Sequence, residues 1–335
     1  MYKKLFVILF FVLSANYSYS QLGGLPGAFA RMGFSARGIS MGNAMSSVTT
    51  GDVSGYYNPA LSVFQNEHLI NLSYSFLSFD RTLNFISYTK NFKLPNQSQG
   101  GAGITFSWIN AGVNNIDARD GDGFKMDPLS VNENQFSFAP SIRFSEKIAL
   151  GVAFKMYYSK LYDGVKSTSL GFDIGAIVKP NDKLSFALSV KDLNSKYQWN
   201  TTSIYNSNGA TTTNKFPVLI DFGVSYALPK NFGVISAEFE NSSTTTTQDS
   251  LDFKSGSSII RMGAEVSPVK DLKIRAGFDR FDLKSDDKFG NTKVSFGLGY
   301  QKELKSYIVG LDYSFVMEPY SNKPFMTLTA VFKIK

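Results

Sequence analysis

The chain has 335 residues, of which 43 % are hydrophobic, 15 % aromatic and only 18 % charged, with a formal net charge of +7 and no cysteine. Charge lies below the roughly 25 % usual in soluble domains, and the bases are scattered along the chain, which argues against the one-sided basic footprint of a nucleic-acid binder. Without cysteine there are no disulfides, no thiol chemistry and no lipidated cysteine anchor, so backbone pairing and packing must supply the stability.

Residues 1–20, MYKKLFVILFFVLSANYSYS, place Lys3 and Lys4 before an apolar run from Leu5 to Leu13 and the small residues Ser18 and Ser20. This is the pattern of a secretory signal peptide cleaved after Ser20. The run is well short of the roughly 20 apolar residues that a spanning helix needs. Loss of Lys3 and Lys4 with the leader lowers the net charge from +7 to +5.

Residues 21–67 do not alternate; ARGISMGNAMSSVTTGDVSGYYNPALS reads as turns and short helical pieces. From His68 onward the period is two. In LINLSYSF, Ile70, Leu72, Tyr74 and Phe76 alternate with Asn71, Ser73 and Ser75, which predicts a strand with one apolar face. The same pattern predicts strands at 69–77, 81–91, 100–110, 133–145, 147–161, 167–179, 183–192, 216–228, 231–241, 257–268, 271–281, 292–302, 305–317 and 324–334. That is fourteen.

The connections alternate in length. Tight ones (SEK at 145–147, PND at 180–182, PKN at 229–231, PVKD at 268–271, KELK at 302–305) face long polar ones at 111–132, 193–215, 242–256 and 282–291. A transmembrane β-barrel has short periplasmic turns and longer outer loops, so both termini are expected in the periplasm of a Gram-negative cell. The face opposite the apolar one is small or polar, as in Ser137, Ala139 and Ser141 or Ser295, Gly297 and Gly299, with charges at Asp221, Arg261, Glu265, Arg275 and Asp312. Those side chains suit a lumen better than the dry core of a soluble sandwich. The expected architecture is therefore all-β: a 14-stranded antiparallel transmembrane β-barrel over residues 68–335, preceded by the non-alternating segment 21–67.

Within that segment, Ala36 and Arg37 precede Met41 and Gly42, Asp52 follows, and Tyr57 leads into Asn58, Pro59, Ala60 and Leu61. This pattern resembles the PorV/PorQ family within the FadL-type outer-membrane transporter superfamily. The resemblance implies that residues 21–67 form a small N-terminal hatch, a plug inside the lumen, with Gly38, Met41, Gly42, Asp52, Asn58, Pro59 and Ala60 as its motif. An Asn-Pro corner agrees physically, because the residue before proline is driven out of the helical region and an Asn side chain can set a turn. It implies passage of hydrophobic small molecules across the outer membrane, or, as the alternative, service to the type IX secretion system with its cargo and machinery as partners. Outer-membrane lipids are the other expected partner, and the barrel is expected to be monomeric.

Catalysis has little support. The one histidine, His68, sits at the start of the first strand, and a nucleophilic triad needs a base poised beside its serine. In DARDGDGFKMD, Asp117, Asp120, Asp122 and Asp127 could supply oxygen ligands, but Phe124 stands where an EF-hand needs an acid or Asn. The segment reads as a solvated turn; no metal, cofactor or nucleic acid is expected.

Gly100, Gly101 and Gly103 in the third strand, and Pro140 in the fourth, are residues that weaken a ladder. Placing Asn110 opposite Glu133 sets Gly103 opposite Pro140 and predicts a break between these two strands. By resemblance to FadL-type transporters, Gly101, Gly103 and Pro140 become a candidate lateral opening.

Overall fold

The computed structural model describes residues 25–93, 101–205, 208–248, 251–285, 287–319 and 323–335. The leader, its cleavage point and Gly100 lie outside the described residues. Sixteen strands follow one another: β1 (His68–Phe76), β2 (Arg81–Phe92), β3 (Gly101–Ile116), β4 (Leu129–Ser145), β5 (Ile148–Tyr162), β6 (Val165–Val178), β7 (Leu184–Leu193), β8 (Lys196–Asn200), β9 (Thr211–Lys215), β10 (Val218–Ala227), β11 (Gly233–Gln248), β12 (Leu251–Val269), β13 (Leu272–Asp282), β14 (Lys293–Glu303), β15 (Tyr307–Met317) and β16 (Phe325–Ile334). Fourteen of them form a closed antiparallel barrel, and β8 and β9 form a separate hairpin, so β7 pairs directly with β10.

The barrel closes where β1 meets β16, from His68 opposite Ile334 to Phe76 opposite Met326. Closure follows from the facing of the side chains. Leu72, Tyr74 and Phe76 point outward and are exposed, whereas Ser73 and Ser75 are buried and bond to Thr329 and Thr327 at 2.8 and 2.7 Å. With an apolar outer face, a free sheet edge would leave backbone groups unsatisfied in lipid.

Strands β3, β4, β11 and β12 run further toward the long-loop end than their sequence pattern predicts, and 193–215 contains the β8–β9 hairpin. Period-two alternation reports a boundary between an apolar and a polar face. Beyond the apolar band both faces are wet, so the pairing continues where the pattern stops.

The β3–β4 register corrects the expected one by a residue: Asn110 lies opposite Asn134, Gly103 opposite Ser141 and Ile104 opposite Pro140. Directly opposed residues share a face. Gly103 points inward and Pro140 outward, so the two cannot be partners. The β3–β4 ladder runs without interruption from Gly101 opposite Arg143 to Val113 opposite Val131, and the predicted break is not there.

Pairing is instead missing on the other side of Pro140. Between β4 and β5 it passes from Phe138 opposite Phe154 to Ser141 opposite Gly151 without a change of register. Proline has no N–H to give the neighbouring strand, and one absent donor removes the paired geometry at residues 139 and 140 together.

Candidate functional site

The N-terminal segment occupies the lumen. It holds a 3-10 turn at Ala28–Arg31, the short helix α1 (Ser35–Ser40) and a second 3-10 turn at Pro59–Phe64. Phe34, Ala36, Met41, Val48, Val53, Ala60 and Leu61 are all buried. All of these but Ala36 form one core with inward residues of the wall such as Phe85, Ile109 and Tyr157.

The Asn58 carboxamide caps the second turn by accepting the Ala60 N–H at 2.9 Å, and Pro59 takes the first helical position, where its missing N–H costs nothing. The same side chain donates to Ala176 O at 3.3 Å and Leu188 O at 3.4 Å, which ties the corner to β6 and β7. This close approach depends on glycine. A Cβ on Gly175 would strike Asn58 Oδ1, one on Gly151 the Pro59 backbone, and one on Gly103 the Ser62–Val63 backbone. Gly103 is thus a seat for the hatch.

A second seat lies across the lumen. Gly42 has φ +60°, and a Cβ there would meet the Phe278 carbonyl; Gly263 and Gly277, opposed in the β12–β13 ladder, receive the Met41–Gly42 backbone. Gly38 leaves room for Tyr57, whose hydroxyl accepts from Phe34 N at 2.9 Å and donates to Phe34 O at 2.8 Å. Burial pushes the Tyr57 phenol well above its ordinary pKa and that of Tyr56 up to about 12, so both remain donors at any physiological pH.

Buried charge completes the attachment. Arg37 makes two bonds to Glu265 at 2.8 and 2.9 Å. Glu265 also takes Arg275 at 2.6 Å, and Arg275 reaches Asp312 at 3.0 Å. Asp52 pairs with Lys333 and accepts from Gln301 Nε2 at 2.7 Å. At mid-depth Arg261 holds Glu238, Glu240 and Asp279 at 2.7 to 2.8 Å, while the hatch residues Ser46 and Asn43 donate to Glu238 and Asp279. A void of about 40 Å³ lies beside Arg261, Glu238 and Glu240, and one of about 230 Å³ is lined by Arg37, Asp52, Glu265 and Arg275.

Above the hatch, at the long-loop end, is a vestibule of about 420 Å³. Its floor is Ala28, Phe29 and Met32 of the hatch; Leu77, Val113 and Ile259 contribute apolar wall; Arg81, Glu133 and Arg280 bring charge. Glu133 accepts the Tyr197 hydroxyl at 2.7 Å, which fastens the β8–β9 hairpin over this side. Burial and then the Glu133 carboxylate hold the Tyr197 phenol well above its usual pKa. The volume falls in the range of small-molecule sites, which are mostly apolar with a few placed polar groups. Sequence reasoning did not identify this cavity, because its lining comes from strand ends that share no motif.

The remaining sequence candidates do not join a site. His68 Nδ1 lies 2.8 Å from the Tyr88 hydroxyl at the short-turn end. Asp120 accepts the Asp122 and Phe124 N–H groups at 3.0 and 2.9 Å and closes its own turn, while Asp117 pairs with Arg119 at 2.9 Å. Among the described residues no cluster of three or more His, Cys, Asp or Glu side chains is arranged to hold a metal.

No family model matches the chain. No curated protein sequence matches it either. Solved structures do. The toluene transporter TbuX of Ralstonia pickettii superposes with a TM-score of 0.57 at 11 % identity, over 90 % of this chain and 97 % of its own. The toluene transporter TodX of P. putida gives 0.58 at 11 %, over 90 % and 98 %. A FadL homologue of Pseudomonas aeruginosa gives 0.50 at 11 %, over 88 % and 96 %. At such identity the likeness is one of fold: the chain is a 14-stranded barrel with the architecture of FadL-type outer-membrane channels.

Proposed function

We propose that this barrel sits in the outer membrane, short turns and both termini toward the periplasm, and carries hydrophobic small molecules inward. The observation behind this reading is the vestibule of about 420 Å³, which has an apolar floor on the hatch and faces the long loops. The similar structures named as toluene transporters point the same way. Beneath the floor the Arg261 salt bridges cross the lumen beside a void of about 40 Å³, so a straight axial path needs the hatch to move. The candidate sideways path lies along β4 at Pro140, with Gly101 and Gly103 behind it on β3 and the missing pairs on the β5 side.

The alternative, type IX secretion, rests on the PorV/PorQ-like hatch motif. Asn58, Pro59, Gly42 and Asp52 all anchor the hatch, which either role would require. A deletion strain separates the two. Transport predicts lost uptake of labelled toluene or a comparable hydrophobic solute, with secreted proteins unchanged; lost secretion with normal uptake would sink it. Phe29→Asp, which puts a carboxylate on the vestibule floor, should cut uptake while the barrel remains folded.

A further inference from the structure

The six connections at the short-turn end share a feature that only some of those at the opposite end have. Each carries one exposed lysine: Lys93, Lys147, Lys183, Lys230, Lys270 and Lys305. Counted between strand ends, the connections at this end hold seven bases to three acids, whereas those at the opposite end, with the β8–β9 insert, hold seven bases to ten acids. The excess positive charge of the barrel's connections is therefore confined to one rim.

These lysines stand at the edge of the apolar band. Phe92 precedes Lys93, Ile148 follows Lys147, Val269 precedes Lys270, Leu304 precedes Lys305 and Phe232 lies two residues beyond Lys230; all five apolar neighbours point outward and are exposed. An ammonium on a four-carbon stem beside such a residue reaches headgroup level while its stem covers apolar surface. Among the described residues only Lys270 of the six makes an ion pair, with Glu303 at 2.6 Å.

We propose that this ring binds the phosphates of anionic phospholipid headgroups in the leaflet at the short-turn end, so that the barrel gathers an anionic lipid annulus there. The inference shares with the transport reading only that the strands cross a bilayer. Lipid is the occupant the geometry favours, because the charges are distributed around the whole circumference beside lipid-facing residues; an acidic protein would be met by a patch on one side. Each basic residue near an anionic surface adds attraction that falls off within a Debye length.

The test uses the full mature chain in nanodiscs made from equal parts of phosphatidylethanolamine and phosphatidylglycerol, with retained lipids identified by native mass spectrometry. The ratio of retained phosphatidylglycerol to phosphatidylethanolamine should exceed that of bulk on the order of fivefold, the attraction expected from a single basic residue at the surface. Changing all six lysines to Gln should return the ratio to bulk, while Gln at Lys125, Lys160, Lys166, Lys196, Lys215 and Lys288 of the opposite end should leave the enrichment intact. High salt should abolish enrichment in the unaltered chain, a readout that does not depend on the variant folding. Inorganic phosphate should compete no better than chloride at equal ionic strength. No enrichment in the inserted chain, survival of enrichment in the six-Gln variant, or selective loss to free phosphate would each overturn the proposal. A chain that captures an acidic protein while showing no lipid preference would do so too. Failure to insert would instead count against the membrane barrel itself.

Discussion

Single residues decide how the hatch is held, and glycine matters most. At Gly42 the backbone is left-handed and a Cβ would meet the Phe278 carbonyl, so Gly42→Ala should cost about 1–3 kcal/mol by overpacking. Gly121→Ala, with open space around its Cβ, should be near neutral. Unfolding midpoints in lipid would show the difference, and equal midpoints would remove Gly42 as a seat. The buried charges predict an order. Arg275→Met leaves Asp312 without its cation, while Glu265 keeps Arg37, and should cost about 3–5 kcal/mol, whereas Arg37→Met leaves both carboxylates with Arg275 and should cost less. A reversed order would mean that the Arg275 pairs are not what holds this layer together. The hatch motif was legible because Asn-Pro has a local meaning. The partners of Arg37 were not, since Glu265 lies 228 positions away.

At the scale of the strand, alternation showed which face turns outward. Leu188 is outward and exposed, its neighbour Ser189 inward and buried. Leu188→Arg should therefore cost roughly 2–4 kcal/mol at mid-strand, and Leu188→Met less than about 1.5 kcal/mol. If both refold alike from detergent into lipid, the facing is wrong. Arg in place of Ala153 or Ser189 would not be the mild control that an open lumen suggests, because both positions are fully packed. Pro140 supplies the second test. Pro140→Val restores a donor toward Val152 and should add about 1 kcal/mol of local pairing, seen as slower amide exchange across β4 and β5. Unchanged exchange would mean that the proline is not what interrupts the ladder.

For the whole molecule the question is whether the hatch is a stopper. Seats on β3, β5, β6, β12 and β13, together with the ion pairs of Arg37 and Asp52, fasten it to opposite walls. The full chain should then conduct poorly in a planar bilayer, and a variant lacking residues 25–64 should show steady open-channel steps. Equal conductance would place the seal elsewhere, for example in the β8–β9 hairpin held by Tyr197 and Glu133.

The sequence by itself determined the number of barrel strands, the face each turns outward and the end at which the long loops gather, because strand alternation and turn chemistry are local properties repeated along the chain. Only the tertiary structure decided the one-residue β3–β4 register, the strand pair that Pro140 interrupts, the hatch residue that each wall glycine receives and the vestibule above it. Those features arise where segments far apart in sequence touch. Gly42 against Gly277 and Arg37 against Glu265 are contacts of shape and charge that neither partner announces in its own neighbourhood.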